Sequence, residues 1–553
     1  MKTYRTLTSQ LAAATLLAML AFHPQSASAA GPLTPPGAPA PMWKTLQEIE
    51  PRTLIASVPY TISAPGSYYL SNNLAVATGN AITIQANGVT LDLNGFTLSS
   101  TAASATGVGI YITSNYRDIA IRNGSVEGGV TDNGGGNFSG SGFAYGIYGP
   151  NAYNVRVSHV SVSGVLNYGI YINYSSSTIA EECAVNTVGS YGIIANVVES
   201  CSAYDCGSYG IDAEQVSDSS GQSPYYGDGI YATTANNSYG SSGSSYGLYA
   251  QEANNCYGYS STGSGLYAVT ANNCFGYAAN TNQDGIIARD ANGCYGSGGY
   301  AGVYCYSTAH GCYGESYYGY GVYCNGAANN CYGYSDIYNG TTTSYAGVRA
   351  KVANNCYGES ETSSYNNYGI DADAANNCEG VGYSGYGIYV QPGTAENCWG
   401  NSTYSDGLYA NTANNCYGYS YDSYGMYANS ANNCYGESYY SDGMDAGVAN
   451  NCYGYSDYGN YGLYVACANN CYGSCNAGSS YSGGYGLYAY RSANNSYGYC
   501  TRTSSDGLYA PVAIGCYGYD YATSSVGLGA YIGNSCYGAG TTSTSISYKY
   551  NMP

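Results

Sequence analysis

The chain has 553 residues, of which only 8% are charged, and its formal net charge at pH 7 is −20. This composition argues against a nucleic-acid partner, because phosphate binding needs clustered lysine and arginine and only 13 residues are basic. It also argues against disorder, since disordered chains lack aromatic residues and 74 tyrosines recur here in register.

Residues 1–30 have the features of a secretory signal peptide. Lys2 and Arg5 form a basic start, an apolar stretch runs from Leu11 to Phe22, and Ala27-Ser28-Ala29 is a small-residue cleavage site. The apolar stretch is too short to cross a bilayer, and no later segment holds about 18 uninterrupted apolar residues. The sequence therefore predicts a protein that is secreted or held at the cell surface, without a transmembrane segment.

Residues 31–59 are predicted to form a lead-in and a short cap. The segment begins with Pro-, Gly- and Ala-rich residues, and Trp43 to Glu50 are expected to form a short amphipathic helix that stops at Pro51. Such a cap would cover the first turn of a solenoid, whose open end exposes core and strand edge.

Strand patterns begin at residue 60 and continue to residue 228. Val89 to Leu98 alternate apolar and polar residues around a turn. The stretch from Ile62 to Leu98, with Pro65-Gly66-Ser67-Tyr68-Tyr69-Leu70 and Leu91-Asp92-Leu93-Asn94-Gly95, resembles the start of secreted right-handed parallel β-helix proteins of the pectin-lyase-like superfamily. This resemblance covers the N-terminal third best. It implies the fold of that superfamily but not the activity of its enzymes.

Residues 229–540 repeat one unit every 18 to 20 residues. In one copy, Gly247-Leu248-Tyr249-Ala250 is followed by Ala253-Asn254-Asn255-Cys256-Tyr257-Gly258-Tyr259. A fixed period of this size predicts a solenoid, and residues 541–553 are left as a C-terminal tail. We therefore predict an all-β fold, a right-handed parallel β-helix with rungs of about 18–20 residues. A left-handed β-helix also suits an 18-residue coil, but the resemblance favours the right-handed form.

The repeat predicts which side chains point inward. Alternation along a strand puts Leu248 and Ala250 inside and Tyr249 outside. Cys256 falls in the column that Val160 occupies in an early rung, so we expect it to point inward and Tyr257 outward. The asparagine pair before Cys256 is expected to form a corner with a stacked asparagine ladder. Similar ladders occur in the superfamily that the chain resembles.

The outward aromatic residues are the predicted ligand-binding surface. A regular exposed aromatic array suits sugar rings, a mineral surface or another copy of the rod, although stacked tyrosines can also serve only to stabilise a sheet. One expected column consists of Tyr257, Phe275, Tyr295, Tyr313, Tyr332 and Tyr357, and a second, about 7 Å away, begins with Tyr259, Tyr277 and Tyr334.

Twenty-two cysteines recur about once per rung. We interpret their column as small buried hydrophobes in a thin core; a metal-binding or redox-active thiol ladder is the alternative. Serines, among them Ser219, stand in the same column of other rungs, so no rung is expected to depend on sulfur. No metal and no cofactor are predicted, since the chain has three histidines. The four residues Gly247 to Ala250 represent a tetrad, Gly-aliphatic-x-small, that recurs in each rung. Cys305 and Cys324 are the candidate disulfide, because they occupy the fourth position of this tetrad on two neighbouring rungs.

Two neighbouring rungs carry a charged cluster. Alignment stacks Arg349 on Asp371 and Lys351 on Asp373, all facing outward. The resemblance implies that a polysaccharide lyase of this fold would need a basic residue to abstract a sugar proton and acidic residues that often hold calcium. The cluster offers residues of both types. The alternative is two surface ion pairs, each worth about 0–1 kcal/mol. The insertion from Tyr334 to Tyr345 could wall a groove beside the cluster.

The sequence thus favours an exported, non-enzymatic β-helix rod. It would adhere to a polysaccharide or another surface, or assemble with copies of itself, through the tyrosine face. A carbohydrate-active enzyme, either a polysaccharide lyase or a glycoside hydrolase, is the alternative.

Overall fold

The computed structural model describes residues 50–113, 115–172, 177–336, 344–361, 367–476 and 483–552. In these ranges the chain has strands and no helix, and 51 strands form one sheet that winds as a parallel β-helix of about 25 turns. The predicted fold class, an all-β parallel β-helix, is confirmed, with rungs of about 19 residues. The predicted signal segment and the predicted helix from Trp43, except its last residue, lie outside the described residues.

The strands of the rungs before residue 229 are Thr53–Ile55, Tyr60–Ile62, Gly66–Leu70, Leu74–Val76, Ile82–Ile84, Val89–Asp92, Thr97–Ser100, Val108–Ile112, Arg117–Glu127, Gly129–Asp132, Phe138–Ser141, Tyr145–Tyr148, Tyr153–Val165, Ile170–Tyr171, Ile179–Glu181, Ala184–Val188, Ile193–Glu199, Ser202–Cys206, Ile211–Ser217 and Ser220–Ser223. Two of them, Gly129–Asp132 and Phe138–Ser141, form a separate antiparallel pair.

In the homogeneous rungs, longer strands alternate with short ones. The longer strands are Ile230–Asn236, Leu248–Asn254, Leu266–Asn272, Ile286–Asn292, Ala301–His310, Tyr320–Asn329, Ala346–Asn354, Tyr368–Asn376, Ile388–Glu396, Leu408–Asn414, Met426–Asn432, Met444–Asn450, Tyr461–Asn469, Tyr485–Asn494, Asp506–Ile514, Val526–Asn534 and Thr542–Tyr550. The short strands are Tyr239–Ser242, Tyr257–Ser260, Phe275–Ala278, Tyr295–Gly298, Tyr313–Ser316, Tyr332–Ser335, Tyr357–Ser360, Glu379–Gly382, Trp399–Ser402, Tyr417–Ser420, Tyr435–Ser438, Tyr453–Ser456, Tyr472–Cys475, Tyr497–Cys500, Tyr517–Asp520 and Tyr537–Ala539.

Each strand pairs in parallel with its own copy on the next rung. Leu248 lies opposite Leu266 and Tyr257 opposite Phe275, so equivalent residues stack as columns along the rod. The predicted directions are confirmed: Leu248, Ala250 and Cys256 are buried, while Tyr257 faces outward and is partly exposed.

Two corners bend each rung. Ala250 and Ala253 both point inward although they are three residues apart, because the strand bends at the exposed pair 251–252. The second corner is the predicted one: Asn255 takes the left-handed conformation, at φ 53°, which an asparagine tolerates better than most residues. The asparagine ladder is also confirmed, since Asn272 Nδ2 donates to Asn254 Oδ1 at 2.9 Å.

The interior of the homogeneous rungs is narrow. A Cβ atom added at Gly258 would lie 2.3 Å from the carbonyl oxygen of Gly265 and 3.0 Å from Cβ of Leu266. A side chain therefore has no room at this position. Small alanine, cysteine and serine side chains fill the remaining inward positions around one aliphatic column.

The C-terminal segment differs from its prediction. Residues 541–553 were expected to be a tail, but Thr542–Tyr550 forms a strand that pairs in parallel with Val526–Asn534. Alternating β-branched residues favour this strand, and it covers the edge of the last rung.

Candidate functional site

The short strands place one aromatic ring on the outside of nearly every rung. We call these rings the outer aromatic column: Tyr239, Tyr257, Phe275, Tyr295, Tyr313, Tyr332, Tyr357, Trp399, Tyr417, Tyr435, Tyr453, Tyr472, Tyr497, Tyr517 and Tyr537. From Tyr257 to Tyr357, neighbouring ring centroids lie 4.7–4.9 Å apart and the ring planes agree within 13°. The predicted stacking of this column is confirmed.

Stacking determines which part of each ring meets solvent. An interior ring such as Tyr313 has Tyr295 on one face at 4.9 Å and Tyr332 on the other at 4.8 Å. Both π-faces are covered, so the column presents ring edges and hydroxyl groups. A sugar that stacks on an aromatic face therefore finds no free face within the continuous part of the column.

The second predicted column contains glutamates as well as tyrosines. Tyr259 stacks on Tyr277 at 5.7 Å, as expected. Tyr334, however, lies between Glu315 and Glu359, so it does not continue that stack. Carboxylates thus stand beside the outer aromatic column.

These carboxylates accept hydrogen bonds from the phenols. Tyr332 and Tyr357 both donate to Oε2 of Glu359, at 3.3 and 3.1 Å. Burial, and then Glu359, raise the pKa of Tyr332 to about 12, so the phenol stays a donor at neutral pH. The same contact joins Tyr295 to Glu315 at 2.9 Å and Tyr417 to Glu437 at 2.8 Å.

A second aromatic surface, which the sequence interpretation missed, follows the third position of the tetrad. The residue at that position varies from rung to rung, yet three runs of its tyrosines on successive rungs stack, with centroids 4.8–5.5 Å apart. The stacked runs are Tyr231–Tyr249–Tyr267, Tyr389–Tyr409–Tyr427 and Tyr464–Tyr488–Tyr509. The recurrent order Tyr-Gly-aliphatic-Tyr was the available signal.

The charged cluster lies in a cavity of about 240 Å³ on this second surface. Arg349 Nε is 3.4 Å from Asp371 Oδ2, and its guanidinium donates to the hydroxyl of Tyr320 at 2.7 Å. Burial raises the pKa of Asp371, although Arg349 opposes the shift. The structure brings Arg349 and Asp371 together as predicted.

The other predicted pair behaves differently. Lys351 and Asp373 line the same cavity and are exposed, but no ion pair joins them among the described residues. Most of the insertion from Tyr334 to Tyr345, the expected groove wall, lies outside the described residues.

The cysteine column is buried and hydrogen-bonded to backbone. Cys274, for example, is 2% exposed, and its Sγ donates to the carbonyls of Ala253 and Asn272 at 3.3 Å each. In the described ranges, no group of three or more His, Cys, Asp or Glu side chains is placed to hold a metal ion.

The disulfide of the structure is not the expected one. Cys305 and Cys324 are in register, but both are free thiols, and burial raises the pKa of Cys305 well above its usual value. Cys324 Sγ instead donates to the carbonyl of Ser307 at 3.2 Å, beside a register shift after Cys324. The bridge joins Cys475 and Cys500, two successive residues of a column that is otherwise mostly serine.

The part of the chain that the structure describes contains no helix long and apolar enough to span a bilayer. Comparison with known proteins gives no match to a family model, to a curated protein or to a solved structure. Membership of the pectin-lyase-like superfamily therefore stays a prediction.

Proposed function

We propose that this protein is an exported, non-enzymatic rod that works by lateral contact, with its outer aromatic column lying against a second copy or another surface. Repetition is the observation that carries the proposal. An outward ring recurs at the same position from Tyr239 to Tyr537 on every described rung but the one that carries Glu379. Adhesion gains from each repeated contact, whereas catalysis needs one rung to differ from its neighbours.

The ring spacing favours a second copy of the chain as the partner. A row of ring edges every 4.7–5.2 Å matches only a surface with the same repeat. A second copy of the chain has the same rung spacing, so every ring of one rod could contact a ring or a hydroxyl group of the other at the same time. Polysaccharides and mineral surfaces are the alternative binding partners, and the experiment must distinguish them from a second copy.

Charge opposes this assembly. The net charge of −20 makes two rods repel at low ionic strength, and salt screens that repulsion over about 10 Å at 0.1 M. We expect association to strengthen with salt, the reverse of binding between oppositely charged partners.

The test compares two triple variants of the exported chain by light scattering and electron microscopy at increasing salt. Tyr435→Ser, Tyr453→Ser and Tyr472→Ser remove three rings from the outer aromatic column, and we expect association to be lost. The control variant, Tyr389→Ser, Tyr409→Ser and Tyr427→Ser, removes three rings from the second surface and should associate like the parent chain. A parent rod that stays monodisperse and binds no polysaccharide or mineral surface contradicts the proposal.

A carbohydrate-active enzyme is the second candidate, and one observation favours it. Arg349 and Asp371 meet in a cavity, which gives a cation and a carboxylate a common place to hold a sugar acid. Product release from uronic-acid-rich and neutral polysaccharides tests this candidate. Unchanged activity in an Arg349→Ala, Lys351→Ala double variant would exclude this site.

A further inference from the structure

One rung interrupts the outer aromatic column. Glu379 stands in register between Tyr357 and Trp399, where the other described rungs from Tyr239 to Tyr537 carry an aromatic ring. Two neighbouring rungs therefore depart from the repeat at the same position: one replaces the tyrosine by an acid and the next by a tryptophan. A shorter side chain between two rings leaves a gap in the stack.

The gap is a slot with aromatic walls. It belongs to an open surface cavity of about 400 Å³ lined by Tyr357, Glu379 and Trp399, together with three corner asparagines and two residues of the cysteine column. One face of Tyr357 is covered by Tyr332 at 4.8 Å, and the other is directed toward the slot. Because the two wall positions are two rungs apart, they are separated by about 9.6 Å, twice the strand spacing.

Trp399 departs from the geometry of the column. Its ring lies at 59° to that of Tyr417 with a centroid distance of 6.2 Å, whereas the next pair, Tyr417 and Tyr435, is stacked at 11° and 5.1 Å. Trp399 is also 44% exposed. A large indole that is not stacked on its neighbour can present a face to a ligand in the slot.

Within the described part of the chain, the exposed corner asparagines at the slot are not hydrogen-bonded to one another through their side chains. In later rungs the exposed corner amides form their own ladder, with bonds of 3.1–3.2 Å from Asn433 to Asn415 and from Asn451 to Asn433. In the described rungs around the slot, no side-chain hydrogen bond joins Asn355, Asn377 and Asn397. Their amides are thus available to a bound molecule.

We propose that this slot binds an organic ammonium ion, with the cation between the ring of Tyr357 and the indole of Trp399 and paired with the carboxylate of Glu379. A cation midway between walls about 9.6 Å apart lies about 5 Å from each ring, within cation–π range. The net charge of −20 draws cations toward the rod. Quaternary ammonium compounds and protonated amino sugars share this chemistry, and the amides could hydrogen-bond the hydroxyls of an amino sugar.

This inference goes beyond the proposed function, because a small cation can occupy the slot whether or not rods associate. The test is titration of the exported chain with choline, glucosamine and glucose, followed by calorimetry and by tryptophan fluorescence. We expect saturable binding of choline, of glucosamine or of both, and a change in fluorescence that tracks it. Glucose should not bind measurably.

The decisive variant is Glu379→Tyr, which restores the ring that the other rungs carry and so is compatible with the fold. It should weaken ammonium binding by about tenfold or more, because it removes the counter-charge and fills the slot. The matched control, Glu437→Tyr, makes the same change in the neighbouring column, where other rungs also have tyrosine, and should bind like the parent chain.

Binding of choline alone would identify a site for quaternary ammonium groups, and binding of glucosamine would extend it to amino sugars. Equal affinity for glucose and glucosamine, unchanged binding in Glu379→Tyr, or no binding of either cation overturns the proposal. The Tyr435, Tyr453, Tyr472 triple serine variant leaves the slot intact, so a failure of rod association is distinguishable from a failure of this site.

Discussion

Asp228 accepts a hydrogen bond from the backbone amide of Tyr246, one rung further along the chain, at 3.0 Å. The hydroxyl of Ser245 donates to the same carboxylate oxygen. The arrangement recurs for Asp406 with Tyr424 at 3.2 Å and for Asp442 with Tyr461 at 2.9 Å. These aspartates directly precede the glycine that begins each tetrad, and their hydrogen bonds tie the turn of one rung to the next.

Acid should stabilise this rod. Burial raises the pKa of Asp228 and Asp406 to about 6 and that of Asp284 to about 7, from 3.8. Between about pH 4 and pH 6–7 the folded chain binds more protons than the unfolded chain, so the free energy of unfolding falls as pH rises through this window. We expect each carboxylate to cost on the order of 2–3 kcal/mol at pH 7 relative to pH 4. Denaturant unfolding at a series of pH values measures it.

Asp284 gives the sharpest control for this prediction. Its Oδ1 is buried without a hydrogen-bond partner in the described structure. Asp284→Asn should therefore raise stability at pH 7 and leave it nearly unchanged at pH 4. A parent chain whose stability increases steadily from pH 4 to pH 7 would contradict the assigned burial of these groups.

Reduction of the Cys475–Cys500 disulfide should destabilise the C-terminal rungs. The Cys475–Cys500 bridge closes a loop of 25 residues, for which chain entropy gives about 3 kcal/mol. A reductant should lower the free energy of unfolding of the parent chain but not that of a Cys475→Ser, Cys500→Ser variant, which has the serine that most rungs carry there.

A Cys305→Ala, Cys324→Ala variant is the control for the bridge, and it should respond to reductant like the parent chain. Thiol titration of the denatured, unreduced protein should find twenty free cysteines, which is all 22 less the bridged pair. Reductant sensitivity that moves with Cys305 and Cys324 instead would place the bridge where the sequence analysis expected it.

The asparagine ladder should contribute measurably to stability. Asn432 donates to Asn414 at 2.8 Å and accepts from Asn450 at 2.8 Å, in partly buried positions. Asn432→Ala removes both bonds and should cost about 2 kcal/mol, whereas Asn429→Ala removes one exposed bond to Asn411 and should cost about 0.5 kcal/mol or less. A loss from Asn432→Ala no larger than that from Asn429→Ala would contradict the predicted contribution of the partly buried ladder.

The cysteine column should tolerate serine and reject bulk. Ser238 occupies this column in an earlier rung, and its hydroxyl donates to the carbonyl of Asn236 at 2.7 Å. Cys416→Ser should therefore cost about 1 kcal/mol or less, while Cys416→Leu should cost about 1–3 kcal/mol by overpacking. Thermal unfolding compares the two. A serine variant as damaged as the leucine variant would mean that the rung depends on sulfur.

The sequence predicted the columns correctly because the structure is nearly one-dimensional. Each rung contacts mainly its neighbours, so aligning repeats also aligns side chains in space: Leu248, Ala250, Cys256 and Tyr257 all point where the alignment placed them. The bend at residues 251–252 was missed, because the residues there differ from rung to rung and no single turn residue marks it in every repeat.

By itself, the sequence determined the β-helix, the inward and outward columns, the asparagine corner and the contact between Arg349 and Asp371. The tertiary structure alone decided which cysteines bond, which ring faces stay open and which carboxylates are buried. Repetition specifies what stacks on what, but bonding, exposure and pKa depend on atomic distances and solvent access. A register shift at Cys324 or a missing ring at Glu379 changes both the local distances between atoms and the access of solvent.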